Sequence, residues 1–188
     1  HTVFDNIFNI LLLIAVAVSM LYFVMSMYIL FKKHGPKKDE SYKGELPFVT
    51  VQIPTFNELA AIRCARQCLY FDYPQDKYEI LIGDDSNDAE VSKRLKEFAE
   101  ENQRVKIIKR PSNIGYKPGN LNSMLKHSKG ELLVIFDSDF VPKENFIKRI
   151  IIPFMKDKKV AGVQARWKVL NSNQNLVSVL GATIVSTC

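Results

Sequence analysis

The sequence predicts an α/β domain, a mostly parallel sheet with helices on both faces, preceded by one membrane-spanning helix. Three observations predict it. An apolar stretch without a charged residue runs from Ile7 to Phe31. From Phe48 onward, short apolar, β-branched runs alternate with helical periodicity. The polar residues able to do chemistry fall just after the apolar runs rather than inside them. Strand–helix alternation builds crossover units, and crossover units build parallel sheets.

Composition narrows the class. A chain of 188 residues suits one domain plus an appendage and can bury a core. Its 26 Lys and Arg against 20 Asp and Glu give a net charge of +6, with 47% hydrophobic and 24% charged residues, which excludes a disordered chain. Eight Gly and eight Pro exclude a collagen-like or linker sequence, and three Cys exclude a disulfide scaffold.

The segment Ile7–Phe31 is long enough to cross a bilayer at 1.5 Å per residue. It does not read as a signal peptide, because HTVFDN precedes it with an acid and no base, and Lys32, Lys33, Lys37 and Lys38 follow it. The basic side belongs in the cytoplasm, which places everything after Lys32 there. The same cluster can attract anionic lipid. No basic stripe interleaved with aromatics appears elsewhere, so nucleic acid is not an expected partner. The expected organisation is a membrane helix over 1–31, a basic linker over 32–46, a nucleotide-binding domain over 47–171, and the start of a further region over 172–188.

Within the domain, strands are expected over 48–53, 78–83, 105–109, 131–136 and 160–167. Helices are expected over 59–71, 89–102, 119–127 and 142–156. Open α/β sheets bind ligands beyond the carboxyl ends of their strands. The strand ends here are followed by Pro54-Thr55-Phe56-Asn57-Glu58, by Asp84-Asp85-Ser86-Asn87-Asp88, by a loop from Arg110 carrying Lys117 and Gly119, and by Asp137-Ser138-Asp139. No GxGxxG follows the first strand and no GxxxxGK[ST] occurs, which excludes the common dinucleotide and P-loop sites. Clustered carboxylates repel a bare diphosphate but bind one through a divalent cation. Asp137 and Asp139, alternate residues of an extended chain, are expected on one side and supply the hard oxygens that suit Mg²⁺ or Mn²⁺. Lys117 adds positive charge for the same phosphates. Asp84 or Asp85 can accept hydrogen bonds from a base or ribose. Each piece has a plainer reading: DDSND as a helix-capping cluster, PTFNE as a turn, Lys117 as a solvated side chain.

At VQIPTFNE, LIGDDSND, NIGYKPGNLN, IFDSDFVP and VQARWKVLN the chain resembles family-2 glycosyltransferases of the GT-A fold, in particular the membrane-bound cellulose-synthase-like branch with β-mannan (glucomannan) synthases. The resemblance covers residues 47–176. It implies that Thr55 and Glu58 lie at the nucleotide pocket and that Asp84 and Asp85 read base and ribose. It implies that Lys117 and Gly119 approach the diphosphate, that Asp137-Ser138-Asp139 is the D-x-D placing the metal, and that Gln164, Arg166 and Trp167 lie toward donor sugar and acceptor. It also implies inverting transfer from a UDP- or GDP-sugar to a glycan or lipid-linked acceptor, with a dolichyl-phosphate-type transferase or a catalytically silent binding module as alternatives. The family's later acidic motif, which carries the general base, and its QxxRW motif are not in this sequence. The expectation is therefore a donor-binding fragment without turnover.

Other residues have plainer expectations. Cys64 and Cys68 share a helix face and read as packed thiols, since the three His show no ligand spacing. Phe140 and Phe146 read as core, and Trp167 as core or as a sugar-stacking ring.

Overall fold

The computed structural model describes residues 2–31, 42 and 44–165. Two compact units are present, one containing the N-terminal helix and the other spanning Asp39–Val163. Helix α1 (Thr2–Phe31) carries only Asp5 in its first turn. Its segment Thr2–Tyr28 is long and apolar enough, by length and composition, to cross a membrane, and none of its most apolar window is buried.

The second unit is built on four parallel strands: β1 (Val49–Thr55), β2 (Tyr78–Asp84), β3 (Val105–Lys109) and β4 (Leu132–Ile135), in the order β3-β2-β1-β4. Between them lie α2 (Ala60–Cys68), α3 (Ala89–Glu100) and α4 (Tyr116–Leu125), followed by α5 (Phe146–Ile150) and α6 (Ile152–Lys156). β1 and β2 are buried along their whole length, as parallel strands covered on both faces must be.

Alternation along the strands separates the two faces. Val49, Val51, Ile53, Ile80 and Ile82 join one core with Ala61, Cys64, Ala65 and Cys68 of α2, Val91, Leu95 and Phe98 of α3, and Ile147 of α5. On the other face, Gln52 Nε2 donates to Ser128 Oγ just past α4 (2.9 Å), and Asn120 Nδ2 of α4 donates to the Gly83 carbonyl (2.8 Å). Cys64 and Cys68 are fully buried free thiols, and burial, then the Cys64 hydrogen bond, pushes the Cys68 thiol up. Phe140 and Phe146 pack on Phe136, with ring centroids 4.9 and 5.0 Å away.

Three expectations need correction. The helix expected over 142–156 is two short helices, because Pro153 cannot donate to the carbonyl four residues back and stands in the first turn of α6 instead. α4 begins at Tyr116 rather than Gly119, with Pro118 in its first turn, where a missing N–H is harmless. The strand expected over 160–167 is not formed over 160–165: the Val160 N–H closes a turn to the Asp157 carbonyl (3.1 Å), and no ladder joins this segment to β4. Residues 166 and 167 lie outside the described residues.

Candidate functional site

The chain runs from β1 through β2 to β3 on one side of the sheet, then crosses to β4 on the other side of β1. The switch point therefore lies between β1 and β4, and the crevice beyond the carboxyl ends there is where such sheets hold ligands. The loops that follow all four strands meet around it.

The β1 loop is stitched to its neighbours. The Thr55 carbonyl accepts from Asp85 N–H, and Thr55 Oγ1 donates to the Glu58 carbonyl, both at 3.1 Å. Asn57 takes a left-handed φ of 54°, which Asn tolerates better than most residues. From there its N–H donates to Ser86 Oγ (2.9 Å), and its side-chain oxygen accepts from the N–H groups of Asn87 and Asp88 (3.0 and 3.1 Å). Across the switch point, Ser138 Oγ donates to Glu58 Oε2.

The acids after β2 divide their work. Asp84 is buried and accepts from Ser86 N–H (2.9 Å), Ser92 Oγ (2.6 Å) and Lys109 Nζ (3.0 Å). Burial pushes its carboxyl up, but these hydrogen bonds, led by Ser92, outweigh burial and hold it below its ordinary value. Asp88 caps α3, accepting from Glu90 and Val91 N–H at 2.9 and 3.3 Å. Asp85 receives a two-pronged guanidinium, Arg110 Nε lying 2.6 Å from Oδ1 and Nη2 bonding Oδ2. The Asp85 hydrogen bond also raises the pKa of Arg110.

Beyond β3 the chain turns sharply. Gly115 has φ 76° and Tyr116 φ 47°, so two successive residues are left-handed where α4 begins. Gly119 lies so close to this turn that a Cβ would fall 2.3 Å from the Ile114 carbonyl oxygen. Lys117, in the first turn of α4, reaches across to pair with Asp137 Oδ1.

β4 ends at Ile135, and Asp137-Ser138-Asp139 forms a turn closed by Phe140 N–H on the Asp137 carbonyl (3.0 Å). The extended geometry expected for the D-x-D is thus replaced by a turn, anchored by Phe140 stacked on Phe136. The Asp139 carbonyl accepts from Arg63 (3.5 Å), while its exposed carboxylate has no protein partner among the described residues. Among the described residues, the Asp137 carboxylate pairs with the half-exposed Lys117 alone. No group of three or more His, Cys, Asp or Glu able to hold a metal occurs among the described residues. A small divalent cation takes one or two carboxylates from protein and the rest of its ligands from phosphate and water, and the hard oxygens of Asp137 and Asp139 are the donors here that could hold one.

The structure therefore brings Thr55, Glu58, Asp84, Asp85, Lys117, Gly119, Asp137 and Asp139 to one rim. Gln164 is exposed and lies outside the Asp39–Val163 unit; Arg166 and Trp167 lie outside the described residues. Sequence reasoning missed Arg110 and Asn57. Asn in a turn after a strand is a recognisable left-handed signal, but nothing in the sequence marks the Arg110–Asp85 pair.

Comparisons with known proteins identify the family. The family model "Glycosyl transferase family 2" matches residues 50–179. The chain is 32% identical to glucomannan 4-beta-mannosyltransferase 2 of Arabidopsis thaliana over 170 residues, covering 80% of this chain and 32% of that protein. It is 32% identical to a beta-monoglucosyldiacylglycerol synthase of Trichormus variabilis over 135 residues, covering 71% of this chain and 29% of that protein. The chain thus spans about a third of the length of the curated relatives it matches. Among solved structures it resembles a mannosyltransferase of Pyrobaculum calidifontis, in complex with GDP-Man and Mn²⁺, at TM-score 0.53 and 27% identity, covering 66% of this chain and 36% of that one. It shares the fold of S. aureus TarS 1-349 in complex with UDP at TM-score 0.52 and 20% identity, covering 66% and 42% of the respective chains. With a parallel sheet of this order and a family match over most of its length, the chain belongs to glycosyl transferase family 2.

Proposed function

We propose that this chain forms the nucleotide-sugar-binding part of a membrane-anchored, inverting glycosyltransferase that moves a sugar from a UDP- or GDP-sugar to a β-glycan acceptor. One observation carries the reading: Thr55, Glu58, Asp85, Lys117, Asp137 and Asp139 converge on loops around the β1–β4 switch point. The glucomannan mannosyltransferase relatives support a polysaccharide acceptor, and the neighbour holding GDP-Man and Mn²⁺ supports a nucleotide sugar with a metal.

The residues divide the task. Asp85 keeps lone pairs beyond those taken by Arg110 and offers them to base and ribose donors. Lys117 leaves Asp137 for the diphosphate as the ligand arrives, an inexpensive exchange because an exposed ion pair is weak. Asp137 and Asp139 hold a divalent cation, Mg²⁺ or Mn²⁺, which when bound offsets the charge gathering on the departing diphosphate. Thr55 and Glu58 fix the pocket floor, with Asp84 as the structural acid beneath it. Gly119 lets the turn and α4 close together so that Lys117 is in reach. Gln164, Arg166 and Trp167 serve the donor-sugar and acceptor side. α1 anchors the domain, and the bases at 32, 33, 37 and 38 keep it on the cytoplasmic face.

Titrating the detergent-solubilised chain with UDP and with GDP, with and without Mn²⁺, tests this. Binding of at least one nucleotide is expected to require the metal. Asp139→Ala is expected to weaken it at least about tenfold, the loss of a charge-assisted ligand, with the unfolding midpoint unchanged. Wild-type affinity in that variant overturns the metal role.

A further inference from the structure

Arg110 stands beside the crevice and plays no part in the reading above, although an arginine in such a place is the obvious candidate to grip a phosphate. Its hydrogen bonds argue otherwise. A guanidinium has five N–H groups. In this chain Nε and Nη2 donate to the two oxygens of Asp85, Nη1 donates to the Ile114 carbonyl (2.6 Å), and Nη2 donates again to the Tyr116 carbonyl (2.9 Å). Four of the five are therefore spent on protein. The side chain is only 12% exposed, and a Cβ at position 119 would fall 2.6 Å from Nη1.

We propose that Arg110 is a positioning residue that locks the turn at 113–116 onto Asp85 and thereby sets where Lys117 stands relative to the base-reading acid. The proposal rests on the nucleotide-site reading. The two carbonyls that Arg110 holds, those of Ile114 and Tyr116, bracket the left-handed pair Gly115 and Tyr116. A left-handed tyrosine persists only where its surroundings impose that backbone. Lys117 is the next residue, so the pose of its ammonium is inherited from that turn. The fork on Asp85 fixes the other end, and so the acid after β2 and the lysine after β3 are one rigid unit before any ligand arrives. A lysine at 110 keeps the charge but cannot hold two carboxylate oxygens and two carbonyls at once.

Arg110→Lys, followed by amide hydrogen exchange on the ligand-free chain and by UDP and GDP titration with Mn²⁺, tests the proposal. Exchange at Tyr116 and Gly119, whose N–H groups bond the Asn113 and Gly115 carbonyls, is expected to speed up at least about tenfold while β1 and β2 stay protected. Nucleotide affinity is expected to fall about tenfold or more. Lys117→Ala is expected to cost less in the Arg110→Lys background than in wild type, since its ammonium is already misplaced. Unchanged exchange at 116 and 119 with strictly additive losses overturns the proposal and makes Arg110 a direct ligand. Should Arg110→Lys not fold, Asp85→Asn weakens the fork from its other end, and the same exchange pattern is expected at 116 and 119. If wild type binds neither UDP nor GDP, the nucleotide reading fails, while the exchange measurement still decides whether the turn is held by Arg110.

Discussion

The acids at the ends of β2 and β4 are alike in sequence and opposite in circumstance. Asp84 is filled by its own chain, with three donors on it, and Asp85 is held by a guanidinium fork while keeping lone pairs open. Among the described residues, Asp137 and Asp139 have one half-exposed lysine between them, and it pairs with Asp137. A carboxylate whose lone pairs are filled by its own chain, as at Asp84, holds the edge together, and one left open is available to a ligand. The same residue type is therefore fixed by its own chain on one side of β1 and left open on the other, with Asp85 between the two cases.

Substitutions sharpen or break this contrast. The largest effect on stability is expected at Asp84→Ala, which takes a 1% exposed acceptor away from Ser86 N–H, Ser92 and Lys109; chemical denaturation should show a loss of about 2–4 kcal/mol. Acid should act in the same direction. Asp84 and Glu79 are both held below their ordinary values, Glu79 because hydrogen bonds led by that of Lys129 N–H outweigh its burial. The folded state thus favours their ionised forms. Their contribution is complete above the unfolded carboxylate range, and the unfolding midpoint should begin to drop as pH falls below about 4. Asp88→Ala removes only a helix cap and should cost about 1 kcal/mol. At the β4 end, Lys117→Met should leave stability within about 0.5 kcal/mol, because its ion pair is exposed. It should also tighten the binding of Mn²⁺ alone, measured by the free-ion electron paramagnetic resonance signal. A large stability loss there, or none at Asp84, would erase the distinction between the two ends.

Much of the frame was legible in the sequence for a physical reason. Strands buried on both faces are rich in apolar residues, and Val49, Val51 and Ile53 of β1 with Ile80, Leu81 and Ile82 of β2 carry that mark. Polar residues directly after them then fall at the sheet's ligand edge. The division between Asp84 and Asp85 was not legible, since it depends on Lys109, Ser92 and Arg110 arriving from 8 to 25 residues away. Nor was the turn at Asp137-Ser138-Asp139, whose closure depends on Phe140 finding Phe136. The break at Pro153 was written in the chain and was overridden by the periodicity on either side of it.

The bond from Ser138 to Glu58 joins residues 80 positions apart. A ribosome builds the chain from its N-terminus, so all four described strands are made before Ser138 can reach Glu58. The loops on either side of the switch point can therefore be tied together only once β4 has been made, a contact of the long-range kind that slows folding.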